Sequence, residues 1–207
     1  MKDLLSKKNI LWDFDGVILD SMNIRTEGFK QVLINYPDDQ VESLLVYHRR
    51  NGGLSRYVKF RYFFEHIRQE TAEKAKLQKL AENYSKIMRS FLTSPERLVP
   101  EVIDFIRKYF QQHRMYIVSG SDGNELRFLC KELGIEQYFV SVEGSPTPKI
   151  QLVRNILEKN LYKKEETCLV GDSVNDLEAA EKNGIKFFGY NNEDLKEKAD
   201  YYLNSFR

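Results

Sequence analysis

The chain has 207 residues, of which 42% are hydrophobic and 30% charged; 32 basic and 31 acidic residues leave a formal net charge of +1. That length supports one sizeable core, with room for a small accessory unit. The charge balance excludes the electrostatic footprint of a nucleic-acid or anionic-membrane binder. The charged segment from Met1 to Lys8 does not read as a secretory leader and no apolar run reaches membrane-spanning length, so the expected location is the cytoplasm. Cys130 and Cys168, in a helical and a strand pattern respectively, are expected to be reduced, core-packing thiols.

In chain order, Ile10-Leu11-Trp12 reads as a buried strand and runs into Asp13-Phe14-Asp15-Gly16-Val17. From about Ser21 to Thr93 the chain is rich in Lys, Glu, Arg, Tyr and Phe, and no buried strand is evident. Apolar residues at helical spacing from Thr71 to Phe91, and turns at Pro37-Asp38-Asp39 and Asn51-Gly52-Gly53, predict a bundle of helices. The stripe Tyr57, Phe60, Tyr62, Phe63 and Phe64 is expected in that bundle's own core, with Arg49, Arg50 and Arg61 solvated. His48, His66 and His113 lack metal-ligand spacing and are expected at the surface or partly packed.

Strand and helix patterns then alternate. A helix is predicted from Val99 to Gln112, with Pro100 in its first turn. A strand follows at Met115–Ser119, ended by Gly120-Ser121-Asp122-Gly123, then a helix at Asn124–Leu133 closed by Gly134. Next come a strand at Tyr138–Val142, a helix from about Lys149 to Glu158, a strand at Thr167–Val170 and a helix at Val174–Asn183 closed by Gly184. Ile185–Tyr190 reads as the last core strand and Ala199–Leu203 as a short edge strand. This rhythm predicts an α/β fold, a doubly wound parallel sheet with helices on both faces.

Ligands of such sheets bind at the carboxyl ends of strands. Asp13 and Asp15 follow one buried strand, and Asp172 and Asp176 follow another in Gly171-Asp172-Ser173-Val174-Asn175-Asp176. Four carboxylates in one crevice repel unless a hard cation joins them, which points to magnesium and so to phosphate chemistry. For Asp172 and Asp176 the plainer alternative is an acidic first turn favouring the helix start.

Together these residues resemble the haloacid dehalogenase superfamily of phosphohydrolases. Asp13-Phe14-Asp15-Gly16-Val17 is similar to its first motif, Ser119 at a strand end to its second, Lys149 at a helix start to its third, and Gly171-Asp172 through Asp176 to its fourth. The resemblance implies a Rossmann-like core, residues 1–20 and 94–207, with an α-helical cap inserted at 21–93. It also implies an enzyme, a phosphoric monoester hydrolase, with Mg2+ as cofactor. Asp13 would be the nucleophile and Asp15 the general acid and then base. Ser119, with the backbone of Gly120, would bind the phosphoryl group, and Lys149 would neutralise it. Asp13, Asp172, Asp176 and the backbone carbonyl of Asp15 would serve the metal, and Gly16 would permit the sharp turn beside the substrate.

Within the superfamily the chain resembles the phosphoglycolate phosphatase and β-phosphoglucomutase branch, through Asp20-Ser21 and Gly53-Leu54-Ser55-Arg56. Arg56 is a candidate for a second anionic group of the substrate, the alternative being an exposed helix charge. Arg25 stands near the position where mutases of the branch carry a His, and Gly52 where they carry a Lys. The expected function is hydrolysis of a small phosphorylated metabolite, such as a sugar phosphate or phosphoglycolate, through an aspartyl-phosphate. A phosphomutase and a non-catalytic module of the same fold are the alternatives. A phosphonatase would need an imine-forming cap lysine, a role the sequence assigns to no residue. Neither nucleic acid nor membrane is expected as a partner, and the expected state is a monomer or small homo-oligomer.

Overall fold

The computed structural model describes residues 1–206. Six parallel strands form one sheet: β1 (Asn9–Trp12), β2 (Arg114–Asp122), β3 (Ser141–Ser145), β4 (Thr167–Gly171), β5 (Lys186–Tyr190) and β6 (Tyr201–Leu203). Their order is β3-β2-β1-β4-β5-β6. β1 is buried at every residue because it lies at the centre with helices over both faces. Its side chains alternate, so Ile10 and Trp12 enter one buried cluster while Leu11 enters the other with Val118 and Leu169. The connections diverge between β1 and β4, the switch point where such sheets bind ligands.

The helices of the core are α1 (Lys2–Leu5), α6 (Pro100–Tyr109), α7 (Gly123–Glu132), α8 (Lys149–Asn160) and α9 (Val174–Asn183). Pro100 opens α6, where its missing N–H costs nothing. Asp122 caps α7 by accepting from the N–H groups of Asn124 and Glu125, each at 3.1 Å. A Ser173–Asp176 capping box starts α9, and Gly184 ends it in the left-handed region at φ +67°.

Between β1 and β2 lie α2 (Met22–Val32), α3 (Asp38–Arg50), α4 (Arg56–Tyr62), a π-helical turn (Phe63–Ile67) and α5 (Lys74–Phe91). Phe29 is their hub, with ring centroids 4.6 Å from Tyr84 and 5.3 Å from Phe60. The two chain passages joining this insertion to the sheet run side by side, Asp20 N–H donating to Arg97 O at 2.8 Å and Val99 N–H to Ile18 O at 2.9 Å.

Four local expectations need correction. Of the segment 138–142 only Ser141 and Val142 are strand: Glu136–Tyr138 is a 3-10 turn and β3 starts at Ser141. Tyr138 packs edge-on against Phe110, so its apolar bulk serves a turn, while the strand continues through polar Glu143-Gly144-Ser145. β2 runs past Ser119 to Asp122 through an irregularity in its pairing with β3. The last helix of the insertion begins at Lys74 rather than Thr71. His48 is buried, not superficial, because Phe29 packs on its ring at 4.9 Å.

Candidate active site

β1 and β4 pair in register, Trp12 opposite Val170, and Asp13 N–H donates to Val170 O at 2.9 Å. This carries Asp13 and Asp172 out of adjacent strand ends. The first turn of α9 brings up Asp176, and the start of α8 brings up Lys149. Oxygens of Asp13, Asp172 and Asp176 lie within 4.8 Å of one another. Lys149 Nζ is 2.9 Å from Asp13 Oδ1 and also grips Asp176 Oδ1. The other oxygen of Asp176 accepts from Ser173 N–H at 3.0 Å and Ser173 Oγ at 2.6 Å. Gly16 sits at φ +79°, and a Cβ there would fall 2.0 Å from Asp172 Oδ2, so the turn after Asp15 admits only glycine.

Three carboxylates face one ammonium here, an excess of two negative charges if all are ionised. Burial and the neighbouring Asp176 push Asp13 up to about 7, against the opposing pull of Lys149. Burial and Asp13 hold Asp172 well above the usual carboxylate range. Burial disfavours the Lys149 ammonium, but Asp13 and Asp176 outweigh it and raise its pKa.

Asp15 belongs to a second network. Its carboxylate accepts from Arg25 Nε at 2.9 Å, from Ser121 Oγ at 2.5 Å and from Ser21 Oγ. Burial alone would raise Asp15; Arg25 and the two hydroxyls more than offset it and hold the group below the usual range. Arg25 also binds Glu125 Oε1, and Arg56 forks onto Glu125 at 2.6 and 2.9 Å. Arg56 further donates to Ser85 Oγ at 2.7 Å and lies over the Tyr84 ring at 4.5 Å.

Arg25 and Arg56, the sequence candidates for substrate contact, are thus both buried in ion pairs that join the insertion to α7. Ser119 is buried at the end of the central part of β2, its Oγ accepting from Ser121 N–H at 3.1 Å. Asp13, Asp15, Ser119, Gly120 and Asp172 line one cavity of about 520 Å³, roofed by the insertion. Sequence reasoning missed Glu125, Ser121, Lys59 and His48. Glu125 reads in sequence as an ordinary acidic first-turn residue, and Lys59 as one more charge in a helix that faces water.

The insertion meets the core at two glycines. A Cβ on Gly120 would lie 2.1 Å from Gly53 O, and one on Gly53 would lie 2.6 Å from Ser173 Oγ. Gly53→Ala is therefore expected to hold the 52–54 loop off the core and lower kcat/KM about tenfold or more, with little loss of thermal stability. Steady-state kinetics with a parallel melting curve would check this.

Residues 10–190 match the haloacid dehalogenase-like hydrolase family. The chain belongs to that family. Over 191 residues it is 25% identical to a 5'-nucleotidase from Pseudomonas aeruginosa, covering 87% of this chain and 81% of that protein. It is 23% identical over 184 residues to a phosphorylated carbohydrates phosphatase from Thermotoga maritima, covering 86% and 82%. Among solved structures it superposes with TM-score 0.70 on YfnB from Bacillus subtilis, a hydrolase of the same superfamily bound to magnesium, at 17% identity over 96% of this chain and 95% of that one. The family, the doubly wound core and the phosphatase-type enzyme expected from the four motifs are the ones found.

Proposed function

We propose that the protein is a magnesium-dependent phosphatase of small phosphorylated metabolites, acting through an aspartyl-phosphate on Asp13. The observation that carries this reading is the Asp13–Asp172–Asp176 cluster with its single ammonium, Lys149. Its surplus of two negative charges and the raised affinities of Asp13 and Asp172 for protons fit a divalent hard cation. Asp13, Asp172 and the carbonyl of Asp15 would hold the ion. Asp176 has both oxygens engaged by Lys149 and Ser173, which suits it to orienting the site from behind. When bound, the ion supplies charge neutralisation on the phosphoryl oxygens.

The chain's own groups do the rest. Asp13 attacks phosphorus, and Lys149 and the Ser119–Gly120 segment take up charge on the equatorial oxygens. The arriving phosphoryl dianion raises the proton affinity of Asp15, which takes up a proton from solvent and delivers it to the leaving oxygen. Once the leaving group has gone, Asp15, held as a carboxylate by Arg25, Ser21 and Ser121, takes a proton from the attacking water. The helical insertion acts as a cap that excludes bulk water and limits the leaving group to a small one. Arg25 favours hydrolysis over mutase chemistry, since a guanidinium takes no proton from a second hydroxyl. The two enzymes named as a 5'-nucleotidase and a carbohydrate phosphatase support this class of substrate.

The test is a phosphate-release screen with Mg2+ over sugar phosphates, phosphoglycolate and nucleotides, with Asp13→Asn as control. Chelation with EDTA is expected to abolish release and Mg2+ to restore it. Asp172→Asn is expected to raise the Mg2+ concentration for half-maximal rate about tenfold or more. Activity indifferent to chelator would remove the metal from the reading.

A further inference from the structure

The loops that carry the two halves of the site share a third support, the end of β5. Gly189 pairs with Gly171, so the chain leaving Tyr190 runs beside the Asp172 turn. Asn191 Nδ2 donates to Gly16 O at 2.9 Å, and Asn192 Nδ2 donates to Asp172 O at 2.8 Å. Both acceptors are backbone carbonyls, which fixes each amide with its nitrogen towards the loop. Two consecutive side chains thus grip the loops of Asp15 and Asp172 at once. Both asparagines line the cavity that holds Asp13, Asp15 and Asp172.

Asn191 stands in the left-handed region at φ +55°, where glycine is the unstrained residue. It is also exposed, so Gly16 O needs no side chain to satisfy it: water would serve. What the amide adds over glycine and water is a fixed position for that carbonyl. Asn192 is anchored in turn. Its Oδ1 accepts from Asp194 N–H at 3.1 Å, capping the 3-10 turn Glu193–Leu195, and Leu195 is fully buried in the core. The two gripped loops have no slack between them, since a Cβ on Gly16 would fall 2.0 Å from Asp172 Oδ2. Drift of either loop therefore changes the spacing of the Asp15 carbonyl and the Asp172 carboxylate. Magnesium tolerates little departure from octahedral geometry, so it is sensitive to such drift.

We propose that Asn191 and Asn192 are positioning residues, a clasp from β5 that fixes the Asp15–Gly16 turn against Asp172 and so sets how tightly the site holds its cation. The inference rests on the magnesium-dependent reading of the site and deepens it, adding a third strand end to the two that carry the carboxylates. Neither asparagine touches the reacting atoms; each acts through the backbone of the loop it holds.

Calorimetric titration of Mg2+ into the full chain, without substrate, compares the parent with Asn191→Gly, Asn192→Ser and the double variant. Gly keeps the left-handed backbone and Ser keeps a capping oxygen for Asp194 N–H, so each variant loses the donor to the carbonyl and little else. No substitution changes the charge near the cation. Each single variant is expected to raise the Mg2+ Kd about three- to tenfold, the size of one neutral hydrogen bond, and the double variant to raise it further. Melting curves without Mg2+ should stay close to the parent's. Saturating Mg2+ is expected to restore most of the p-nitrophenyl phosphate hydrolysis that the double variant loses at low Mg2+, which it would not do for a distorted fold. A double variant whose Mg2+ Kd stays within about twofold of the parent's, or whose lost rate no Mg2+ concentration restores, would overturn the clasp. A parent that binds no Mg2+ would instead remove the cation from the site, and the clasp's role with it.

Discussion

Asp13→Asn is expected to lower phosphate release by about four orders of magnitude or more while leaving the protein folded. An amide oxygen is too weak a nucleophile to attack phosphorus, and no neighbour can replace it. Asp172 leaves the adjacent strand and Asp176 is pinned on both oxygens by Lys149 and Ser173. Stability should not fall, because the substitution is isosteric and removes one of three crowded carboxylates. Burial and Asp176 already push Asp13 up to about 7, the mark of a group whose charge its surroundings resist. Lys149 keeps Asp176 as partner, so no charge is orphaned. Phosphate release over a range of enzyme concentrations, with a melting curve alongside, checks both halves. More than about 1% residual activity would move the nucleophile elsewhere.

The strands that carry the site were legible because their signals are local. Leu11 and Trp12 form an apolar run with no alternation, as a strand covered on both faces must, and Cys168-Leu169-Val170 does the same. Helix starts at Pro100 and helix stops at Gly184 follow from φ and from the absent proline N–H. Tyr138-Phe139-Val140 misled because β-forming residues also suit a turn that packs against a neighbouring ring, and burial in a turn has no period. The acidic cluster was legible for a similar reason: each Asp sits within a few residues of a strand end, so the parallel sheet alone brings them together.

The second network was illegible because nothing local distinguishes its members. Arg25 and Arg56 read as exposed or substrate-facing charges until a partner from α7 is placed between them. That partner, Glu125, lies 69 residues beyond Arg56 in sequence. Lys59 and His48 are two residues of a polar, helix-forming stretch whose burial depends on how α3, α4 and α2 pack around Phe29. Charge count and spacing cannot reveal which of many lysines ends in a cavity.

Glu125→Ala carries the largest expected cost in stability, about 3–5 kcal/mol, because it leaves two buried guanidiniums facing each other across an emptied site. For a chain of this size that corresponds to a fall of about 10 °C in Tm. Glu125 is fully buried, so water does not screen the loss. Glu125→Gln keeps the volume and an acceptor but not the charge, and should fall between the parent and the alanine variant. The triple replacement Glu125→Leu, Arg25→Met, Arg56→Leu removes the three charges of the triad but leaves Asp15 without its cation, and is expected to recover part of the stability, since a buried ion triad contributes little over well-packed apolar side chains. It should not recover activity, because Asp15 loses Arg25, the cation that holds it ionised. Thermal denaturation of the three variants, with phosphate release measured on each, separates the two effects. If the triple variant melts as low as Glu125→Ala, the cost lies in packing between the insertion and α7 rather than in unpaired charge.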